Sequence, residues 1–196
     1  SNISSTQFLY NIIDGKASVT GCAGTPGGVN CPQDLLIPES IDGYQVTRIE
    51  QFAFMNKYLT SVSIPEGVID IGQAAFFDNH LTSITIPNSV TNIASQAFVN
   101  NSLTSVTIPE NVQNIGSEAF KYNKLISVNI PNSISVINPK TFYGNQLTSV
   151  VIPVGVTEIG ESAFELNQIT HINIPEGVTR IENNAFKYNN LSHVNL

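Results

Sequence analysis

The side chains able to do chemistry are few and mostly isolated. Two cysteines, Cys22 and Cys31, lie amid Gly and Pro, and the three histidines are His80, His171 and His193. No second cysteine pair and no nearby histidine completes a zinc site, so a short disulfide staple is the favoured reading, with two free thiols in a loop as the alternative. A staple implies an oxidising compartment. His171 and His193 are 22 residues apart; two imidazoles stacked by a repeat of that length either share a transition-metal ion or, more simply, stand solvated. The simpler reading leaves no metal site and no cofactor. The carboxylates Asp70, Asp78 and Glu118 occupy different positions of the repeat and lack calcium-loop spacing. No serine or cysteine has the partners of an activated nucleophile, so no catalytic residue is expected and the chain does not read as an enzyme.

The elements that position these groups follow from one regularity. Ile-Pro recurs at Pro65, Pro87, Pro109, Pro131, Pro153 and Pro175, and Phe recurs at Phe76, Phe98, Phe120, Phe142, Phe164 and Phe186, every interval being 22 residues. Self-similarity at this period marks a solenoid whose repeats cannot bury their apolar faces alone. In the coil from Leu103 to Lys124, Leu103, Val106 and Ile108 have the spacing of a leucine-rich repeat, which turns Ser105 and Thr107 outward. Pro109 fixes its own φ and lacks an N–H, so it ends the strand. Val112 and Ile115 form a second extended segment, and Ser117 to Phe120 is expected to make one helical or 3₁₀ turn that drops Ala119 and Phe120 into the core. The fold class expected is therefore an α/β repeat solenoid: a right-handed superhelix of 22-residue coils with a parallel β-sheet on one face and short helical turns at the Phe corner.

Asn79, Asn101, Asn123, Asn145, Asn167 and Asn189 form another column. An Asn amide supplies both a donor and an acceptor to backbone groups trapped in a buried turn, so this column reads as structural. Before Leu59 the register slips: Ile37-Pro38, Val46, Ile49 and Phe54 match later coils, with about five extra residues around Ile41 to Gln45. Phe8 to Ile13, the turn Asp14-Gly15, and Ala17 to Thr20 read as a β-hairpin covering one end of the stack. The division expected is a hairpin cap over 1–34, a divergent first repeat over 35–58, six repeats over 59–190 and a partial seventh over 191–196. Ser1-Asn2 reads as a cloning remnant. No cap is legible after Ile172, Ile174, Ile181 and Phe186, so end-to-end self-association through the C-terminal end is expected.

Hydrophobic residues make up 41% of the 196, but charged residues only 12%, and the formal net charge is −7. The eight Lys and Arg are scattered, which argues against a nucleic-acid partner. No apolar run is long enough to span a bilayer, and no basic stretch followed by an apolar one opens the chain.

The unit Leu-Thr-Ser-Val-Thr-Ile-Pro from Leu103 to Pro109, followed by Val-x-x-Ile-Gly and Ala-Phe, resembles the BspA-like class of leucine-rich repeats of microbial surface proteins. The resemblance covers Leu35 to Leu196. Val19 to Cys22, Cys31-Pro32 and Leu36 to Pro38 also resemble the lead-in of bacterial members. Many members carry Cys where this chain has the Asn column. The resemblance implies a secreted or surface-attached protein that binds protein or glycan on another cell or in host matrix. A solenoid presents ligands with its outward strand residues. Here those are Ser83, Thr85, Ser105, Thr107, Ser127, Asn129, Ser149, His171, Asn173 and His193. Two other readings are a structural spacer in a longer surface protein and an ice-binding array, the latter interrupted by Val151, His171 and His193.

Overall fold

A computed structural model of the chain describes residues 7–23 and 31–195. Ser1-Asn2 and Leu196 lie outside the described residues. The chain winds into a β-solenoid of about seven turns with 22-residue coils and parallel strands. In the coil from Leu103, the side chains of Leu103, Val106, Ile108, Val112, Ile115, Ala119 and Phe120 are all buried. Val106, Ile108, Val112, Ile115 and Phe120, β-branched or aromatic, suit a pleated, half-buried wall.

Strands run along two faces. On the outer face Asp34–Leu36 pairs with Ser61–Ser63, Ser105–Thr107 with Ser127–Asn129, and His171–Asn173 with His193–Asn195, all parallel and in register. On the opposite face Lys16–Cys22, Tyr44–Ile49, Asp70–Ile71, Asn92–Ile93 and Asn114–Ile115 form one continuous run. A second run joins Val136–Ile137, Glu158–Ile159 and Arg180–Ile181. The run breaks between Ile115 and Ile137 for a local reason. Pro139 restricts the backbone of Asn138. The Asn138 side chain then does what a backbone N–H does elsewhere, donating from Nδ2 to the Ile115 carbonyl at 2.7 Å. In the same coil Thr141 replaces the corner alanine and donates its hydroxyl to the Asn138 carbonyl at 2.7 Å.

The Phe corner overturns the expected helical turns, and with them the α/β class. Ala74, Gln96, Glu118, Lys140, Ser162 and Asn184, each two residues before the Phe, have φ between 51° and 63°. A left-handed residue in every such turn stops a right-handed helix from forming. The backbone bonds show what replaces it. The N–H groups of Ala74, Phe76 and Asp78 leave their coil and donate to Ser95, Ala97 and Val99 of the next, at 3.0, 2.9 and 2.9 Å. Only the alternate N–H groups of Ala75 and Phe77 close turns within the coil. Half the corner donors thus bind coil to coil, and the Phe rings follow in a stack with centroids 5.4–5.8 Å apart.

At the other end of the repeat the Asn column behaves as its chemistry requires. The Leu59 N–H donates to Asn79 Oδ1 at 2.9 Å, while Asn79 Nδ2 donates to the carbonyls of Phe54 and Phe76 at 2.9 and 3.1 Å. Asn101, Asn123, Asn145, Asn167 and Asn189 repeat this pattern.

Phe8–Ile13 and Lys16–Cys22 form an antiparallel hairpin whose Ala17 and Val19 register against Val46 and Ile49, burying Phe8, Ala17 and Val19 in the core. Its turn, Asp14-Gly15, has positive φ at both residues, as does Asp42-Gly43, where the inserted residues make a second small hairpin. Cys22 and Cys31 are disulfide-bonded with Cα atoms 5.5 Å apart. Closing so short a loop contributes about 2–3 kcal/mol in the chain-entropy picture. Near the last described residues, the strand His193–Asn195 already suffices to bury Ile172 and Ile174, while Ile181 stays 45% exposed.

The Phe stack gives the sharpest stability test. Phe120 is fully buried and stacks on both Phe98 and Phe142. Truncating it to Ala is expected to cost about 3–5 kcal/mol in urea unfolding, whereas Gln113→Ala on the exposed opposite face leaves the midpoint unchanged.

Candidate functional site

Alternation along each outer strand sets the candidate site. Val106 is buried between exposed Ser105 and Thr107, and Ile172 between exposed His171 and Asn173. Ser127 and Asn129 are exposed in the same way. Ser83, Thr85, Ser149 and His193 are exposed as well. All ten residues expected from the sequence are thus exposed, and Ser105, Thr107, Ser127, Asn129, His171, Asn173 and His193 stand in columns set by the parallel register. Their neighbour Val151 is 83% exposed.

The face is not uniform. Among the described residues, 83–85 and 149–151 join no strand ladder. Beside the first of these an open groove of about 380 Å³ brings Ser83, Thr85, Ser105 and Thr107 together with Glu66 and Asn88. Pro87 and Pro109 flank it. Glu66, Asn88 and the two prolines escape a sequence reading of the strand columns because they belong to the turn that follows each Ile-Pro. The recurring Pro is the signal that places that turn beside the strand.

His171 and His193 do stack, with ring centroids 5.3 Å apart and planes within 3°. Each Nδ1 lies against the hydroxyl of the preceding residue, Thr170 at 2.9 Å and Ser192 at 3.0 Å. A shared ion needs both nitrogens about 2.0–2.1 Å from it. Two similarly oriented rings stacked at 5.3 Å do not converge on such a point. Among the described residues no group of three or more His, Cys, Asp or Glu is arranged to hold a metal ion, and no helix is long and apolar enough to cross a membrane.

With the coil geometry in place, the sequence profile of the BspA type leucine rich repeat region matches in six copies over residues 47–167 and 113–196. The chain belongs to the BspA-type leucine-rich repeat family. Among solved structures it is similar to the leucine-rich repeat protein TpLRR of T. pallidum, with 25% identity and a TM-score of 0.71 over 94% of this chain and 82% of that one. It is also similar in fold to the pneumococcal vaccine antigen PcpA, at 16% identity and a TM-score of 0.68 over 100% and 70% of the two chains. A leucine-rich repeat protein from Bacteroides ovatus matches at 21% identity and a TM-score of 0.59 over 92% of this chain, which spans 61% of that protein. No curated protein sequence matches the chain.

This BspA-type solenoid carries a second polar feature, on the ridge after the Phe corner. Tyr122 and Tyr143 meet edge to face with centroids 5.4 Å apart. Lys121 Nζ lies 5.2 and 5.6 Å from the two ring centroids and 3.0 Å from Glu118 Oε2. Gly144 makes room for this: a Cβ there would come within 2.7 Å of the Tyr122 ring. Lys187 sits over Tyr188 in the same way, at 4.7 Å. The repeated Lys-Tyr-Asn at 121–123 and 187–189 was the sequence signal for these pairs, whereas Gly144 gave none. Burial and the neighbouring Tyr122 and Glu165 push the Tyr143 phenol up from its ordinary value.

Partial burial raises the Glu118 carboxyl, but the Lys121 ammonium and the Gln96 amide outweigh it and hold the group below the ordinary carboxylate range. A depressed pKa means that the stability from this contact is present above the unfolded value and is lost as pH falls through the folded one. Lys121→Met is therefore expected to raise the Glu118 pKa in an NMR titration and to remove that part of the acid-side stability loss. An unchanged Glu118 titration would place the cause elsewhere.

Proposed function

We propose that this chain is a secreted or surface-displayed binding module that engages protein or glycan through its outer strand face. The observation that carries the reading is the groove in which Ser83, Thr85, Ser105 and Thr107 from two coils face one open volume with Glu66. These side chains are exposed while the residues between them fill the core, so the fold presents them without depending on them. The Cys22–Cys31 disulfide supports an oxidising, extracytoplasmic setting. Family membership adds the same expectation, since repeat solenoids offer extended surfaces to partners. A face of Ser, Thr, Asn and His, lacking Trp, Tyr and Arg, suits a wet and adaptable contact rather than one anchored by a few hot spots.

The second reading is a ligand contact on the ridge, favoured by the exposure of Tyr122 and Tyr188, at 48% and 63%. A spacer that binds nothing is the third. One experiment separates them. Paired Ser105→Asp and Thr107→Asp substitutions are expected to abolish pull-down from host-matrix extracts and leave thermal unfolding nearly unchanged, because exposed strand sites tolerate substitution. Tyr122→Glu with Tyr188→Glu is expected to leave capture intact. Loss with the ridge pair alone would move the contact to the ridge, and capture by neither parent nor variants would favour the spacer.

A further inference from the structure

The groove beside Ser83 has chemistry that narrows its ligand. Among the described residues, none of the backbone N–H or C=O groups of 83–86 is hydrogen-bonded to a neighbouring coil, although the equivalent residues 105–107 pair with 127–129. A parallel ladder that opens in this way leaves donors and acceptors to solvent along the seam. The groove of about 380 Å³ lies along this seam, between 83–88 and 105–109. Its volume falls in the range of about 300–1,000 Å³ that holds small ligands. The unpaired groups there are hydrated in the free protein, and a ligand rich in hydroxyls replaces that water with equivalent bonds.

The side chains point the same way. Ser83, Thr85, Ser105 and Thr107 each bring a hydroxyl, which both donates and accepts, as a sugar hydroxyl does. Pro87, Pro109, Ile84 and Val106 also border the groove but are buried, so the contact surface is set by the hydroxyl side chains and the opened backbone. Among the described residues Glu66 is the one charged side chain lining the groove, and it is acidic, on a protein whose formal net charge is −7. Sulfate, phosphate and uronate groups are therefore disfavoured, and neutral or ammonium-bearing rings are admitted. Among the described residues lining it there is no aromatic and no Arg with which to anchor a protein hot spot.

We propose that this groove is a saccharide site that takes a short neutral or amino-sugar segment and rejects acidic glycans. The proposal rests on the sheet-face reading and makes it specific. The segment 83–85 supplies unpaired backbone groups, the four hydroxyls read the sugar, and Glu66 sets the charge preference.

The test uses the full chain on an immobilised glycan array holding neutral, amino-sugar and sulfated glycans, followed by NMR titration with N,N′-diacetylchitobiose, chitobiose, a sulfated heparin disaccharide and a lysine-rich peptide. Neutral or amino glycans are expected to bind, with chemical-shift changes confined to 83–88 and 105–109. Thr85→Val and Thr107→Val are each expected to weaken that binding by about three- to tenfold, the cost of one lost hydrogen bond. Gln113→Ala leaves it unchanged. Glu66→Gln is expected to weaken chitobiose more than its diacetylated form. Shift mapping on the parent protein keeps the test decisive if a variant misfolds. Binding by sulfated glycans alone, by the peptide alone, or by nothing on the array overturns the proposal. In each of those cases continued loss of pull-down by the Ser105→Asp, Thr107→Asp protein leaves the sheet-face reading standing, and its absence removes both.

Discussion

Each of the six regular coils from Leu59 onward turns on one Asn amide. Where the chain turns from the Phe corner back to the outer strand, the turn lies between coils and out of reach of water, and an orphaned backbone group there costs about 1–3 kcal/mol. Asn123 answers this by accepting from the Leu103 N–H at 3.1 Å and donating to the carbonyls of Phe98 and Phe120 at 2.8 and 3.2 Å. One side chain thereby ties three segments of two successive coils. Because each Asn reaches into the preceding coil, the column fixes stacking as well as turn shape. The parallel register of the outer strands, and hence the columns of Ser, Thr, Asn and His, follows from it.

The corner opposite works by alternation. One set of N–H groups closes turns and the other set pairs with the next coil, which needs left-handed residues at two positions per repeat. Close approach is secured by small residues on the adjoining strand end. A Cβ on Gly72, Gly116 or Gly160 would come within about 2.3–2.7 Å of backbone in the preceding coil. The coils between them carry Glu50, Ala94, Asn138 and Glu182 at that position, so tight and looser contacts alternate along the stack.

The sequence made the period, the Pro stop, the apolar columns, the Asn role and the hairpin legible, because each rests on residue type at a fixed spacing. Two features escaped it. Glu118 and Lys140 occupy left-handed positions where neither residue type signals positive φ; the demand comes from pairing with the next coil, so a short segment that looked helical in isolation is not. The groove escaped for a related reason. Ser83 and Thr85 look like Ser105 and Thr107 in sequence, and only the opened ladder beside them distinguishes the two strands. The outward residues were legible as a face, but their grouping around Glu66 required the fold.

Amide hydrogen exchange at the Leu103 N–H measures the role of the buried amide most directly. In the parent protein that N–H, held only by Asn123 Oδ1, is expected to exchange near the global unfolding limit. In Asn123→Leu, which keeps the branched four-heavy-atom shape and removes the amide, it is expected to exchange freely, with loss of protection spreading to the Phe98 and Phe120 turns and a stability loss of at least about 2 kcal/mol. Unchanged protection at Leu103 and an unchanged unfolding midpoint would show that the coils close without the Asn column and would contradict the account.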